Sequence, residues 1–537
     1  MADDPPIDRP AGVGGRRTDG EVRAAIDLGT NSFHLVVARV DEDGQFDVLD
    51  KDKEVVRLGS GAGEMRLLTP EAIERGLAAL GRFRRIADSQ GATVDAVATS
   101  ALREATNREE FVSRALHEVG IRVEVVSGAE EARLIHLGVL QSLPVFDERI
   151  LVVDIGGGST ELVVGEGTDV LLARSLKLGA IRLTDRFFPE GKAKRKAIAA
   201  CRAYVRSFLA PAMADVAPHA PFSAIGSSGT IVTMARIIAA ADGRDPGAVA
   251  GGDRFTADAL GAAVSTILDH KTADSRADID GLDDRRRDII PAGAILLQEI
   301  LGLLGIEEMT VSDAALREGI LIDRAARRDA PGVAHHLSDI RRRSVMRMAE
   351  TFHEDLGHIG RSTDLALQLF DGLQSRHELA PADRHLLEAA GLLHNVGLFI
   401  SHAAHHRHSY YVIRHTDQLV GFSDHEVELI AQIARYHRKS APKPSHAEFQ
   451  ALPDEDRRRV RLLAGMLRVG IALDRTRRQV VEKVTVRPLD EHSRKVHLDV
   501  HPVSGADVSL ERYVATERSG LLADALDAEI RVHFPGS

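Results

Sequence analysis

The sequence predicts an α/β protein with two similar lobes, followed by an all-helical domain and a small α+β module. Short strands alternate with helices from the start of the first lobe, and the same alternation restarts at Ile150. Beyond about Asp329 the apolar residues follow the helical period, and beyond about Gln479 strand patterns return. The expected divisions are a disordered leader at 1–20, lobe I at 21–145, lobe II at 146–328, the helical domain at 329–475 and the module at 476–537.

Composition and charge restrict the classes of function. The 537 residues carry a formal net charge of −11, whereas a nucleic-acid binder would more often be basic. Cys201 is the only cysteine, so no intramolecular disulfide is possible and a reducing compartment is indicated. The leader lacks the apolar segment of a signal peptide, and no apolar run approaches the roughly 20 residues of a membrane-spanning helix. We expect a cytoplasmic protein with no membrane span and no nucleic-acid partner.

In lobe I, the stretch VRAAIDLGTNSFHLVVARVDEDGQFDVLDKDKEVVRL indicates short strands separated by turns of Asp and Gly. A helix rich in Ala, Leu and Arg is predicted next, at Glu71–Asp88. The strand VDAVATSAL, a helix near Asn107–Val119 and the strand RVEVVSG follow, and the helix AEEARLIHLGVLQSL closes the lobe.

Lobe II begins with ILVVDIGGGSTELVVGEG, which has the same pattern of strand, turn and strand. A helix near Arg195–Leu209 comes later, then the strand and turn FSAIGSSG and the helix TIVTMARIIAAA. The lobe ends with a strand, a turn and a helix in MTVSDAALREGILIDRAA. The helical domain contains segments such as ADRHLLEAAGLLHNVGLFI, and the module has the strands VEKVTVRPL and KVHLDVHP before the helix SGLLADALDAEIRVHF.

An internal repeat links the two lobes. In DLGTNSFHLVV, counted from Asp27, a glycine stands at +2, a serine at +5 and a leucine at +8. In DIGGGSTELVV, counted from Asp154, the same residue types stand at the same offsets, and both stretches end in two valines. A strand, a tight turn and a returning strand therefore occur twice, which predicts two structural duplicates that face each other.

The repeated turns have the chemistry of a phosphate site. Backbone N–H groups bind phosphate oxygens without side-chain bulk, and glycine lets the backbone approach them closely. The aspartate before each turn can hold Mg²⁺ or its waters. Ordinary hairpin turns also use Asp-x-Gly and Gly-Gly, and that alternative stays open for either segment alone. Repetition in register favours the phosphate site.

A third glycine turn, AIGSSGTI, lies at a predicted helix N-terminus, where unpaired amides and the helix dipole favour an anion. This motif is weak by itself. The expected phosphate-binding residues of the three turns are Gly29, Thr30, Asn31, Ser32, Gly156, Gly157, Gly158, Ser159, Thr160, Gly226, Ser227, Ser228 and Gly229.

Two Asp-Gly hairpins followed by a glycine turn resemble the superfamily of actin, sugar kinases and heat-shock ATPases. Within it, several segments resemble the exopolyphosphatase and guanosine-pentaphosphate phosphohydrolase (Ppx/GppA) family: AAIDLGTNSFHLVVARV, SALREATN, VVSGAEEARLIHLGV, LVVDIGGGSTELVVGE, AIGSSGTI and VSDAALREGIL. AAGLLHNVGLFISHAAHHRHSYYVI and RYHRKS are similar to the long bacterial members, so the resemblance covers nearly the whole chain from Val22. It implies two actin-like (ribonuclease H-like) lobes, an HD-like helical domain and a homodimer.

The resemblance implies that water attacks a terminal phosphorus, a reaction that needs charge neutralisation and an oriented water. Glu131 of GAEEARL matches the family's catalytic glutamate. Glu130 is adjacent, so the assignment could shift by one residue. Acids in the first turn of a helix also complement its dipole, which is the alternative without catalysis.

The remaining site residues also follow from the resemblance. Asp154 would hold Mg²⁺ with the help of Glu161, which is also expected to serve catalysis, although Glu161 could be a surface strand residue. Asp27 is the corresponding carboxylate of the first hairpin, expected on the phosphate side and as a second metal contact. Arg103 is expected on the phosphate, because its fixed donors suit paired oxygens. A salt bridge at the rim is the alternative for Arg103.

The helical domain suggests a second site. Metal-dependent HD phosphohydrolases place a His-Asp pair at the centre of a helical bundle, and LLHNVG matches that position with Asn395 instead of aspartate. An amide supplies no anionic oxygen, so we expect an HD-like domain without catalysis. RYHRKS could guide a long polyanion or form the charged end of a helix.

A histidine cluster follows this motif. Its members are His402, His405, His406, His408 and His415. They could bind a transition metal, but their irregular spacing and solvated neighbours favour an exposed or polyphosphate-facing surface.

The resemblance favours an Mg²⁺-dependent exopolyphosphatase that releases orthophosphate from inorganic polyphosphate. Hydrolysis of the 5′-terminal phosphate of guanosine pentaphosphate (pppGpp) is the nearest alternative, and the sequence does not rank the two. An actin-like kinase or ATPase is a further alternative, but EEARL supplies a carboxylate for water and no sugar-binding segment is recognisable. A sensor of polyphosphate or of the alarmones pppGpp and ppGpp is disfavoured by the intact Glu131, Asp154 and Glu161.

Overall fold

The computed structural model describes residues 20–40, 46–59, 67–329, 331–416, 418–419, 421–487 and 494–534. The leader expected at 1–20 lies outside these residues except for Gly20. Among the helices that are described, none has the length and apolar content needed to cross a membrane. The domain boundaries given above stay predictions.

Lobe I contains one mixed sheet covered by helices. Its elements are β1 (Glu21–Leu28), β2 (Ser32–Val40), β3 (Phe46–Val55), α1 (Pro70–Ser89), β4 (Thr93–Ala98), α2 (Ser100–Glu104), α3 (Arg108–Arg114), β5 (Val123–Val125) and α4 (Gly128–Ser142). The strand order is β3-β2-β1-β4-β5, with antiparallel pairing in the hairpins and parallel pairing at β4 and β5. Long buried runs in β1 and β2 reflect cover on both faces of the sheet.

Lobe II repeats this plan. Its elements are β6 (Arg149–Ile155), β7 (Thr160–Glu166), β8 (Asp169–Leu176), α5 (Ala180–Phe187), α6 (Arg195–Val216), β9 (Ser223–Ser227), α7 (Ser228–Ala241), β10 (Arg254–Thr256), α8 (Ala257–Asp269), α9 (Ile290–Leu304), β11 (Glu308–Val311) and α10 (Leu316–Asp329). The strand order is β10-β11-β9-β6-β7-β8. Apart from the added β10, this order matches that of lobe I and confirms the duplication that the internal repeat predicts.

Helices α4 and α10 cross where the two lobes meet. A Cβ at Gly138 of α4 would lie 2.1 Å from the carbonyl oxygen of Ala315. A Cβ at Gly319 of α10 would lie 1.8 Å from the carbonyl oxygen of Leu134. The two backbones therefore touch with no side chain between them, a distance that only glycine permits.

We expect Gly319→Ala to lower the free energy of unfolding by about 1–3 kcal/mol, because the added methyl group forces the two helices apart. Urea unfolding followed by circular dichroism measures this change. Gly302→Ala in α9 is a matched control, since no atom lies within 4 Å of a Cβ there. Equal midpoints for the two variants would show that the crossing can relax without cost.

The rest of the chain is helical and ends in a small sheet. Its elements are α11 (Pro331–Thr351), α12 (Leu356–Gly372), α13 (Gln374–His377), α14 (Pro381–Leu393), α15 (His405–Arg414), α16 (Asp424–Arg435), α17 (Ala447–Gln450), α18 (Asp454–Leu473), β12 (Val481–Val486), β13 (Lys495–Pro502), α19 (Ser509–Arg518), α20 (Gly520–Leu526) and β14 (Glu529–His533). The sheet order is β12-β13-β14.

The helices and the small sheet share one hydrophobic core. Its members include Leu365 of α12, Leu463 of α18, Val496 and Val500 of β13, and Leu522 of α20. All of these side chains belong to the same buried cluster. The segment after α18 therefore packs on the helices and does not form a separate core.

Candidate active site

The two hairpin turns meet between the lobes. Each aspartate of the repeat is the penultimate residue of its strand, Asp27 in β1 and Asp154 in β6. A Cβ at Gly157 in the second turn would lie 3.3 Å from the backbone nitrogen and the Cβ of Asn31 in the first turn. The two turns therefore approach so closely that a side chain at position 157 would crowd Asn31, and glycine at 157 allows this approach.

A cavity of about 1030 Å³ opens beside these turns. The two turns, the start of α7 and the first turn of α4 all contribute to its wall. Most site residues expected from the sequence line it: Asp27, Gly29, Thr30, Asn31, Ser32, Glu131, Asp154, Gly156, Gly157, Gly158, Ser159, Glu161, Ser228 and Gly229.

Three of the phosphate-binding residues expected in the glycine turns do not line the cavity. The Thr160 hydroxyl donates to the carbonyl oxygen of Leu178 at 2.6 Å, and Gly226 packs against apolar side chains of lobe II. Ser227 lies behind Asp154, to which its hydroxyl donates at 2.5 Å. The structure therefore assigns Thr160 and Gly226 to the interior of lobe II, and Ser227 to the support of a carboxylate.

Four carboxyl groups lie close together at the cavity, those of Asp27, Glu131, Asp154 and Glu161. Burial and the neighbouring Glu131 raise the pKa of Asp27 to about 8. Burial raises the pKa of Asp154 to about 6, although the hydrogen bond from Ser227 opposes the shift. Burial, Glu131 and Asp154 raise the pKa of Glu161 well above its usual value. Carboxyl groups that raise each other's pKa form a site that favours a bound cation.

These carboxyl groups fit Mg²⁺. This ion prefers oxygen ligands and usually keeps several waters, so one or two carboxylates suffice on the protein side. Asp154 and Glu161 face each other as paired residues of β6 and β7. Within the described part of the chain, no group of three or more His, Cys, Asp or Glu side chains is arranged to hold a metal by itself. A partly hydrated ion therefore suits the donors better than a fully protein-ligated one.

Glu130 and Glu131 point in different directions from the first turn of α4. Ser127 caps this helix, and its hydroxyl accepts from the backbone nitrogen of Glu130 at 3.1 Å. Glu131 lines the cavity, and burial raises the pKa of its carboxyl group. The Glu130 carboxylate accepts from Arg133 Nε at 2.8 Å and does not line the cavity. Of the two glutamates that the sequence leaves open, Glu131 is the one at the cavity.

Arg103 connects the two glutamates of the site and lies behind the cavity wall. Its Nη1 donates to Glu131 Oε2 at 2.7 Å and to the carbonyl oxygen of Val126 at 3.1 Å. Its Nη2 lies 3.5 Å from Ser175 Oγ, which in turn donates to Glu161 Oε1 at 2.7 Å. The guanidinium expected on a phosphate is thus paired with Glu131 and holds that carboxylate in place.

Several cationic side chains line the cavity that were not expected from the sequence. Lys53 of β3, Arg236 of α7 and Arg317 of α10 line it, together with Arg286 of the loop before α9. Burial and the charge of Arg286 lower the pKa of Lys53 to about 8. Arg286 covers the start of α7, since a Cβ at Gly229 would lie 1.7 Å from its Nη2. Arg286 lies in the basic run DDRRRD and Arg317 in the family-like segment VSDAALREGIL, but neither segment indicated a cation in the cavity.

The histidine cluster of the helical domain is more buried than expected. His405 and His406 are buried, so the expectation of an exposed surface is wrong for both. They stand at the start of α15, where the ring of His405 stacks on that of His437, two residues after α16. His402 and His415 are exposed or partly exposed, and so is His408.

The motif LLHNVG is also buried. His394 is 1% exposed and its Nδ1 donates to the carbonyl oxygen of Gly391 at 2.7 Å. Its ring centre lies 5.0 Å from that of His437. His437 is also buried, so this histidine of RYHRKS is not on a surface that could guide a polyanion. The assignment of this domain as HD-like stays a prediction.

Two family models match the chain. The Ppx/GppA phosphatase family matches residues 36–328, and domain III of Ppx/GppA phosphatases matches residues 340–513. The chain belongs to the Ppx/GppA phosphatase family. The resemblance seen in the sequence is thereby confirmed, and with it membership of a family of phosphatases.

Individual Ppx/GppA relatives carry two kinds of name. A protein of Photobacterium profundum, named guanosine-5′-triphosphate,3′-diphosphate pyrophosphatase, is 32% identical over 417 residues, or 78% of this chain and 80% of its own length. The crystal structure of an exopolyphosphatase from Cytophaga hutchinsonii is 30% identical with a TM-score of 0.53, covering 57% of this chain and 98% of that one. A Ppx/GppA family member of Aquifex aeolicus is 29% identical with a TM-score of 0.50, covering 58% and 99%.

Proposed function

We propose that this Ppx/GppA phosphatase is an exopolyphosphatase that hydrolyses the terminal phosphoanhydride bond of inorganic polyphosphate. The lining of the cavity carries the proposal. Among the described residues that line it, none is Phe, Tyr or Trp, whereas lysine and arginine side chains are frequent. Proteins commonly hold a nucleobase by stacking it on an aromatic ring, while a phosphate chain needs only cations and amide donors. The lining therefore favours a phosphate chain over a nucleotide.

In the proposed reaction, water attacks the terminal phosphorus and Glu131 accepts a proton from it. The bond from phosphorus to the bridging oxygen breaks, and the chain, shortened by one unit, leaves with that oxygen. Burial raises the pKa of Glu131, which suits a group that takes up a proton near neutral pH. The 2.7 Å contact with Arg103 keeps the carboxylate oriented toward the cavity.

Asp154 and Glu161 would hold Mg²⁺, with Asp27 as a further carboxylate. The bound ion would neutralise negative charge on the terminal phosphate. The amides of both hairpin turns and the start of α7 would bind the phosphate oxygens. Lys53, Arg286 and the other cations of the cavity would hold the units that follow.

A 5′-phosphohydrolase for pppGpp is the second candidate. It is favoured by the relative from Photobacterium profundum, whose name refers to that type of nucleotide and which matches 78% of this chain. Both reactions cleave a terminal phosphoanhydride, so one cavity could perform either.

The decisive experiment compares both substrates. Purified full-length protein is incubated with long-chain polyphosphate or with pppGpp in the presence of Mg²⁺, and orthophosphate is measured. We expect progressive release from polyphosphate. Cleavage of pppGpp alone would favour the second candidate. In a separate incubation with ATP and a sugar, transfer of the γ-phosphate to the sugar would exclude a hydrolase.

The affinity for polyphosphate is expected to fall as pH rises through about 8, because the Lys53 ammonium, whose pKa is lowered to about 8, then loses its charge. We expect KM to rise about tenfold above this pH, because one charged hydrogen bond to the substrate is lost. Lys53→Arg should keep KM low over the same range. Lys51→Arg, the same change on the same strand, should keep the wild-type pH dependence. A KM that does not change across pH 8 in the wild type would contradict the role of Lys53.

A further inference from the structure

The first turn of α4 contacts the helical domain as well as the cavity. Glu130 Oε2 accepts from the backbone nitrogen of Gly421 at 2.8 Å, and the same carboxylate accepts from Arg133 Nε at 2.8 Å and Nη2 at 2.6 Å. Glu130 is 3% exposed and Arg133 is 1% exposed. The carboxylate next to Glu131 therefore has three donors in a site closed to solvent, and one of them belongs to the helical domain.

A second contact from the same loop reaches the residue that holds Arg103. Ser423 forms an isolated antiparallel bridge with Val126, at the end of β5. The carbonyl oxygen of Val126 accepts from Arg103 Nη1, the nitrogen that also donates to Glu131. The segment Gly421–Ser423 thus contacts both supports of Glu131: the neighbouring glutamate and the backbone behind Arg103.

Lobe II closes the network from the other side. Arg133 Nη2 also donates to Asp323 Oδ1 of α10 at 2.6 Å. Breaking a buried ion pair by removing one partner leaves a charge without compensation. Without the Glu130 carboxylate, Arg133 would retain the contact with Asp323 but lose two hydrogen bonds, and the Gly421 N–H would lose its acceptor.

We propose that Glu130 is a positioning residue that couples the docking of Gly421–Ser423 to the orientation of Glu131. This inference rests on the proposed role of Glu131 as proton acceptor. Glu130 does not line the cavity, so it acts through Glu131. The two residues are consecutive on one helical turn, and a shift of that turn at Glu130 moves the neighbouring carboxylate with it. Displacements of about 1 Å at a reacting group can cost about 10²-fold in rate.

The test uses full-length Glu130→Gln, which keeps the size of the side chain but removes the charge that pairs with Arg133. The readouts are kcat, KM and the pH profile of kcat, with whichever of polyphosphate or pppGpp the wild type hydrolyses. We expect kcat to fall about tenfold or more with KM unchanged. We also expect the acidic limb of the profile to move to higher pH, because the contact with Arg103, which lowers the pKa of Glu131, is disturbed.

Glu299→Gln is the matched control. Glu299 of α9 is also buried and also paired, with Arg202 at 2.6 Å and Arg206 at 2.5 Å, and it does not line the cavity. This variant should lose stability but keep the wild-type kcat and pH profile. If Glu130→Gln behaves in the same way, Glu130 is only structural and the proposal is overturned.

A variant on the helical side covers the case in which Glu130→Gln does not fold. Asp424→Asn removes the ion pairs of Asp424 with Arg108 at 3.1 Å and Arg414 at 2.9 Å, next to Ser423. We expect a smaller fall in kcat and a pH shift in the same direction, and wild-type kinetics would overturn the coupling. A wild-type protein that hydrolyses neither substrate would instead overturn the proposed function itself.

Discussion

Glu131→Ala is expected to abolish orthophosphate release while the protein still binds polyphosphate. Loss of a general base costs about 10²–10⁴-fold in rate, and burial prepares Glu131 for this role by raising its pKa. Binding should persist or become tighter, because the hairpin amides stay in place and one negative charge leaves the cavity. Single-turnover release and equilibrium binding, both with Mg²⁺, measure the two effects separately.

Glu131→Gln serves as the control for packing. The amide oxygen of the new side chain can still accept from Arg103, so the local structure is kept while the basic oxygen is lost. Both variants should therefore be inactive, and Glu131→Gln should be the more stable of the two because Glu131→Ala removes the acceptor of Arg103. Wild-type turnover in either one would show that another group accepts the proton.

Asp154→Asn is expected to lower Mg²⁺ affinity about 10–100-fold and to lower turnover, by a smaller factor, at the Mg²⁺ concentration that just saturates the wild type. Asparagine lacks the anionic oxygen that a hard cation prefers, and the buried neighbour Glu161 cannot supply both charges. Titration of activity with Mg²⁺ measures the change, and partial recovery is expected at high Mg²⁺.

The pH dependence of the wild type provides a second check on Asp154. Because the pKa of this group is raised to about 6, the carboxyl group binds a proton below that pH, and Mg²⁺ must then displace it. The Mg²⁺ requirement should increase as pH falls below about 6. Asp313→Asn changes another aspartate of the cavity and should leave the Mg²⁺ titration unchanged. An unchanged titration in Asp154→Asn would place the ion elsewhere.

The hairpins could be predicted from the sequence because their signals are local. Asp27 and Asp154 stand at the same point of two strands, and the glycines that follow determine the turn without reference to the rest of the chain. The sheet order then repeats around each hairpin. The choice between Glu130 and Glu131 was different, because it depends on which side of α4 faces the cavity.

The cationic wall could not be predicted because its members are distant in sequence. Lys53, Arg236, Arg286 and Arg317 come from separate elements, and only tertiary packing brings them to one cavity. Arg317 lies in the family-like segment VSDAALREGIL, but no spacing in the sequence relates the four residues to a shared site.

The burial of His405 was missed for a related reason. The residues around His405 are polar in sequence, yet His405 is buried because His437 and Arg438, just after α16, contact it. The ring of His405 stacks on that of His437 with 5.2 Å between the ring centres. The 31 residues between the two histidines carry no pattern that would predict this contact.

The crossing of α4 and α10 has a consequence for motion. Because the backbones touch at Gly138 and Gly319, and the buried ion pair between Arg133 and Asp323 also joins these two helices, the crossing is a fixed point between the lobes. Glu131 lies seven residues before Gly138 on the same helix, about 10 Å away at 1.5 Å per residue. If the lobes open to release a phosphate, we expect them to pivot near this crossing. Glu131 would then move less than the outer rim of either lobe.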